Sequence, residues 1–549
     1  MFSFIKEVHK SISGKEKNFV FFLIFLTLLI SVIPVIYGWL STPPNLHYTG
    51  FTVIAGADKM VYFSQIEEAM QGHLLFHNLY TSEAAVAKIF SPVWLVLGWL
   101  TAITGLSKVF IFHFARILLG AVFLYFIYLF ISRFFNKIKW KKVCFFAICL
   151  GSGLGVFTLN KPWSAENMYN TFGTDMWVSE GNTFLTLYHS PLFILSQIFI
   201  LFIFWWLIER LNKTNWLSVI FISFITLFLG IFHPYDLIII YTVVGCWFLV
   251  NCLKQKKISW KQFSKLAVIF VVSSLAILYF LWLKFTDSSF AVWAVQNITL
   301  SPRFFNYAVG YGLIFIFYLF GIYKAVKSQN NYWRFLGIWS IVGWFLLFVP
   351  LQFQRRLSNG LHLPMVIIAV LGLYLVINYL NKRFFWQEML KYYSVRAFLV
   401  MSLGFLLISS TFYNVGQDIV ILSTRPPLYY LKQEEYQAML WLKNNISKDK
   451  VILSSAKTGN IIPAVTANKV YIGHGHQTGD WMFKLFKVKL WFFKTNKGDK
   501  EKYEWLKYEG INYIFYGSQE RFLESFNPQE KNYLKPVYQN NEVVIYQVI

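Results

Sequence analysis

Apolar residues in this chain come in long runs, not in alternation, as far as residue 416. Helices that are apolar all round belong in lipid or inside a bundle. Crossing a bilayer takes roughly 17 to 25 such residues. The pattern predicts eleven spanning helices, near residues 19–40, 107–131, 143–159, 190–208, 216–232, 235–252, 266–285, 305–323, 335–350, 362–380 and 397–416. A twelfth run, "SPVWLVLGWLTAITG" at 91–105, opens at a Pro and closes at a Gly. Its short length fits either a crossing or an interfacial helix.

After residue 416 the runs shorten and charge rises. "KVILSS", "KVYIGHG" and "INYIFYG" have the pattern of strands, and "KPVYQNNEVVIYQVI" that of a hairpin turning at Asn540-Asn541. "QEEYQAMLWLKNNI", "TGDWMFKLFKVKLWFF" and "KEKYEWLKYEG" have helical spacing. Strand alternating with helix predicts a small α/β domain with a mainly parallel sheet. The expected division is a transmembrane domain over 1–416, with an external loop at 41–106, and an α/β domain over 417–549.

Composition agrees with a polytopic α-helical membrane protein. The 549 residues are 56% apolar and 20% aromatic, with only 14% charged. The net charge of +24 does not imply nucleic acid, because the cations gather in short loops between apolar runs. Lys6, Lys10, Lys15 and Lys17 hold the N-terminal tail on the cytoplasmic side, and the five cations of "SRFFNKIKWKK" (132–142) do the same. One crossing must then separate residues 41–90 from that loop. The run 107–131 supplies it, which leaves 91–105 at the interface. Every later cation-rich loop then falls inside, and the α/β domain falls outside the plasma (inner) membrane. The first run is too long for a signal-peptide core and should remain as a helix. Cys144, Cys149, Cys246 and Cys252 lie in or beside apolar runs without metal-ligand spacing, and are expected to be free.

This topology, fixed by cations alone, gathers Asp58, Asp175, Glu180, His189, His233, Asp236, Arg355 and Arg356 on the external face. Ionisable groups so close to lipid are costly and usually functional. Together they suggest one outward-facing cavity. Asp58 starts a helical segment with Tyr62, Ile66 and Ala69 on one face. It reads equally as an N-cap or as a carboxylate that accepts a proton from a hydroxyl. Asp175, Glu180 and His189 share the loop "DMWVSEGNTFLTLYHSPLF", where Glu180 also reads as a solvated acid. In "HPYD", Pro234 stops one helix and Asp236 can cap the next, leaving His233 and Asp236 at the rim. In "QFQRRLSNGLHLP" the adjacent Arg355 and Arg356 defy the inside bias of cations. A guanidinium fork suits a lipid phosphate, against the plainer reading of headgroup snorkelling. "GHGHQTGD" sets His474, His476 and Asp480 at a strand end, a common ligand position in open sheets, and no third metal ligand is evident nearby.

The blocks "GADKMVYFSQIEEAMQG" and "SPVWLVLGWLTAITGLS", the latter before a helix with Arg116, resemble the GT-C superfamily of membrane glycosyltransferases, as does the plan of many helices followed by a soluble external domain. Bacterial lipid A aminoarabinose transferases and protein mannosyltransferases share these features. The resemblance implies transfer of a sugar, with inversion, from a polyprenyl-phosphate carrier to an extracytoplasmic glycan, lipid or protein. In that scheme Asp58 deprotonates the acceptor. Arg355 and Arg356, assisted by Lys59, hold the lipid phosphate. Tyr62, Asp175, Glu180, His189, His233, Asp236, His474, His476 and Asp480 contact sugar or acceptor. A lone Asp58 replaces the family's paired acids, which leaves Mg or Mn use open. The alternatives are a transporter or flippase of lipid-linked glycans, which should carry repeats and interrupted helices, and a non-catalytic envelope-assembly protein.

Overall fold

The computed structural model describes residues 3–54, 56–83, 87–523 and 525–549. All eleven expected segments are helical, with differences in length. Among the described residues, eight helices are long and apolar enough to cross a membrane, or up to nine if a bent pair counts as one span. Two of the eleven fall short. Trp216–Phe232 has 17 residues and Asn331–Leu346 has 16, at the lower limit for about 30 Å of hydrocarbon. Pro92–Thr104 has 13 residues and extends only about 20 Å at 1.5 Å per residue. Pro92 starts it, and Gly105, at φ 69, ends it by donating to Thr101 O.

The bent pair replaces the expected straight span at 305–323. Phe304–Tyr311 and Leu313–Lys327 meet at 95°. The hinge is Gly312, with φ 49 and ψ −119. A Cβ there would lie 2.9 Å from Leu154 Cγ, so conformation and space both call for glycine.

The chain forms two compact units. One comprises Met1–Pro34, Phe114–Leu278 and Thr299–Asp418; the other Val35–His113, Tyr279–Ile298 and Ile419–Ile549. The first unit holds most of the spanning helices. In its interior the guanidinium of Arg116, 1% exposed, donates to Leu187 O at 2.8 Å and to Ser31 O at 3.2 Å. Burying this cation is affordable because backbone carbonyls replace its water.

The second unit contains the C-terminal sheet. Its strands run in the order Lys469–Val470, Val451–Leu453, Ile511–Tyr516, Val544–Val548, Leu534–Gln539. The first three are parallel, while Val544–Val548 is antiparallel to both of its neighbours. The sheet is therefore mixed instead of mainly parallel, because the final hairpin returns through a tight turn that only antiparallel strands allow. Leu453, Ile472, Phe492, Leu506 and Ile514 are wholly buried in its core. Ala456–Thr466, with Pro463 inside it, is a helix that the sequence pattern does not suggest. Ser455 caps it by accepting the N–H of Thr458. A separate antiparallel pair joins Leu46–Tyr48 to Tyr430–Lys432. The helix Gly56–Met70 packs on both Pro92–Thr104 and Ala456–Thr466.

Candidate functional site

The expected site residues divide between the units. In the first, Asn182 caps Thr183–His189 by accepting the N–H of Leu185, and Ser190 with Pro191 starts the helix Pro191–Arg210. These turns bury Glu180, 3% exposed, and His189, whose ring lies 4.9 Å from that of Phe193. Arg355 and Arg356 sit on the 3-10 turn Gln354–Ser358. That turn is tied down by Arg355 N–H to Thr299 O at 3.0 Å and by Ser301 N–H to Gln354 Oε1 at 3.1 Å. The Arg355 guanidinium lies 5.0 Å from the Trp177 ring centre, and that of Arg356 lies 5.1 Å from the Tyr235 ring. Aromatic faces thus brace both cations. Burial pushes the Glu180 carboxyl upward, but Arg355 and Arg356 outweigh it and hold the group below the usual carboxylate range.

Asp175 follows the opposite course. Its Oδ2 accepts N–H groups from Gly153 at 2.9 Å and Gly155 at 3.2 Å. Burial nevertheless pushes its carboxyl up to about 7, against hydrogen bonds from Ser410, Gly155 and Gly153. Asp236, fully buried, accepts from the Ser196 hydroxyl and from Asn359 Nδ2 at 2.9 Å, and lies 2.9 Å from His233 Nδ1. Gln197 Nε2 donates to Asn359 Oδ1 and to Thr186 Oγ1, both at 2.9 Å. Ser196, Gln197 and Asn359 escaped the sequence reading. The adjacent Ser-Gln inside an otherwise apolar run was the available signal.

In the second unit Asp58 lies in the first turn of Gly56–Met70, where the helix dipole favours a carboxylate. Its Oδ1 is 2.9 Å from His474 Nε2. Lys59 is 2% exposed and donates to Thr52 O at 3.2 Å and Thr52 Oγ1 at 2.5 Å. Tyr62 stacks on Trp94 at 4.4 Å. His476 and Asp480 are exposed, and Asp480 takes the left-handed conformation at φ 47. One cluster of this unit was not anticipated. Buried Glu67 pairs with Lys108 at 2.6 Å and Lys443 at 2.5 Å. Among the described residues no three His, Cys, Asp or Glu side chains converge as metal ligands.

No protein-family model matches the sequence, and no curated protein matches it. Solved structures do match in fold. The oligosaccharyltransferase of Archaeoglobus fulgidus, in its apo form, aligns with a TM-score of 0.54 and 13% identity over 92% of this chain and 70% of its own. ArnT from Cupriavidus metallidurans, bound to undecaprenyl phosphate, aligns with a TM-score of 0.53 and 10% identity over 97% of this chain and 98% of its own. The arabinofuranosyltransferase AftD from Mycobacteria aligns with a TM-score of 0.52 and 10% identity over 97% of this chain but 40% of its own.

Proposed function

We infer, from a fold that is that of the GT-C membrane glycosyltransferases, that this chain moves a sugar from a polyprenyl-phosphate carrier to an extracytoplasmic acceptor. The observation that carries the reading is the pair Arg355 and Arg356, two adjacent guanidiniums braced on Trp177 and Tyr235. A departing lipid phosphate needs donors already in place where its charge grows. Arginines held on aromatic faces provide them with little further loss of side-chain freedom.

In the reaction an acceptor hydroxyl attacks the anomeric carbon as the bond from that carbon to the phosphate oxygen breaks. The electron pair leaves with the phosphate, which Arg355 and Arg356 hold. The hydroxyl proton passes to Asp58, the general base. A single displacement of this kind inverts the anomeric centre. Lys59 assists at the phosphate. Tyr62, Asp175, Glu180, His189, His233, Asp236, His476 and Asp480 shape the sugar and acceptor sites, with Glu180 also balancing the charge of the arginines. ArnT, similar in fold, is itself seen with undecaprenyl phosphate, and the archaeal oligosaccharyltransferase AglB with a dolichol-phosphate and a peptide.

The two tasks separate experimentally. Turnover and binding of a radiolabelled polyprenyl-phosphate sugar are measured for the purified protein. Asp58→Asn should bind the donor normally and lose about 100-fold or more in turnover. Arg355→Ala with Arg356→Ala should weaken donor binding by about tenfold or more. Unchanged turnover in Asp58→Asn would remove the base role, and undiminished donor binding in the double variant would remove the phosphate role. A transporter reading draws on the break at Gly312, since interrupted helices are typical of transporters. Movement of glycolipid between leaflets by the Asp58→Asn protein would favour it.

A further inference from the structure

We propose that His474 is a positioning residue for Asp58, holding the carboxylate by a hydrogen bond from Nε2 in place of binding sugar. The inference rests on the reading of Asp58 as the base. Its starting point is the proton inventory of the ring. His474 Nδ1 lies 3.3 Å from the backbone N–H of His476. An amide N–H only donates, so Nδ1 accepts, and the neutral ring carries its proton on Nε2. That N–H points to Asp58 Oδ1 at 2.9 Å. His474 is only 7% exposed, whereas the Asp58 side chain is 50% exposed. The imidazole thus approaches from the protein side and leaves the carboxylate accessible to solvent.

The loop behind His474 is built to hold that ring still. The Thr478 hydroxyl accepts the Gly473 N–H at 3.1 Å and donates to Tyr80 O at 2.8 Å. Thr478 N–H returns to His474 O at 2.8 Å. Asn78 Nδ2 donates to Gln477 O at 2.7 Å, and Gly479 N–H to Thr81 Oγ1 at 3.2 Å. Gln296 Nε2 reaches Thr478 O at 2.8 Å. The Tyr80 ring meets the imidazole edge to face at 6.0 Å. A side chain that orients a proton acceptor must be held in this way, because small misplacements of a reacting group are costly.

The test uses the full-length protein in detergent with a radiolabelled polyprenyl-phosphate sugar. His474→Ala should lower kcat about tenfold or more, with donor KM and thermal midpoint unchanged. His474→Gln, whose amide nitrogen reaches the same point, should recover most of the rate, and added imidazole should recover part of it in His474→Ala. Full kcat in His474→Ala, with Asp58→Asn inactive, would overturn the positioning role and leave the base in place. Activity in Asp58→Asn would instead overturn the base and the positioning role together. A loss in His474→Ala that neither glutamine nor imidazole repairs would mark His474 as a structural tie and reject the proposal.

Discussion

Asp175 and Glu180 stand on the same short loop, yet their surroundings drive them in opposite directions. For Asp175 burial dominates, and the folded carboxyl sits at about 7, above its ordinary 3.8. The stability it contributes is fully present below about pH 3.8 and is lost as pH rises through about 7. Asp175→Asn mimics the protonated form. It should flatten the fall in thermal midpoint over that interval and raise the midpoint at pH 8 by about 2 °C or more, as scanning fluorimetry would show. For Glu180 the arginines prevail over burial, so its contribution is present above its ordinary 4.5 and lost as pH falls below that value. Glu180→Gln should lower the midpoint at pH 7 by about 2 °C or more, with the difference from wild type shrinking toward pH 4. An unchanged difference across that range would mean that packing, not charge, accounts for the loss.

Helix Gly56–Met70 depends on a close approach to its neighbour. A Cβ on Gly98 would fall 2.3 Å from Ala69 Cβ and 2.8 Å from Ile66 O. Gly98→Ala should therefore cost about 1–3 kcal/mol through overpacking and reduce turnover by displacing the helix that presents Asp58; denaturation and rate measurements on one preparation check both. Features set by neighbours in sequence were legible in the residues. The hairpin at Asn540-Asn541, the cap-and-proline starts and the all-round apolar helices follow from local pattern. Features set by distant partners were not. Asp58 meets His474 across 416 positions, and no periodicity encodes such a pairing. The Ala456–Thr466 helix was hidden by Gly459 and Pro463, both usually read as breakers. The break at Gly312 was hidden because the apolar run continues unbroken through it.

For the whole molecule, loop charge makes a claim about sidedness that can be checked apart from any chemistry. With the four native cysteines replaced, Lys256→Cys should react with an impermeant maleimide only after cells are opened, and Lys457→Cys should react in intact cells. The reverse labelling pattern would invert the orientation and deprive the external assignment of Asp58 and Arg355 of its basis. The fold likeness to three transferases, at 10–13% identity, reflects the same rule at larger scale. Bilayer thickness and backbone satisfaction constrain the helical frame closely.

The strand pair between Leu46–Tyr48 and Tyr430–Lys432 also bears on how the protein is made. Thr49, next to it, bonds to Tyr429 across 380 positions. At roughly 5–20 residues per second, the ribosome needs on the order of 20 to 80 s to deliver the partner after the first strand emerges. Until then that strand is a bare edge, open to pairing with another nascent chain. A frameshift or premature stop ahead of Tyr429 would make the exposure permanent, so such products should be cleared by quality-control proteases more readily than their nearly complete set of membrane helices would suggest.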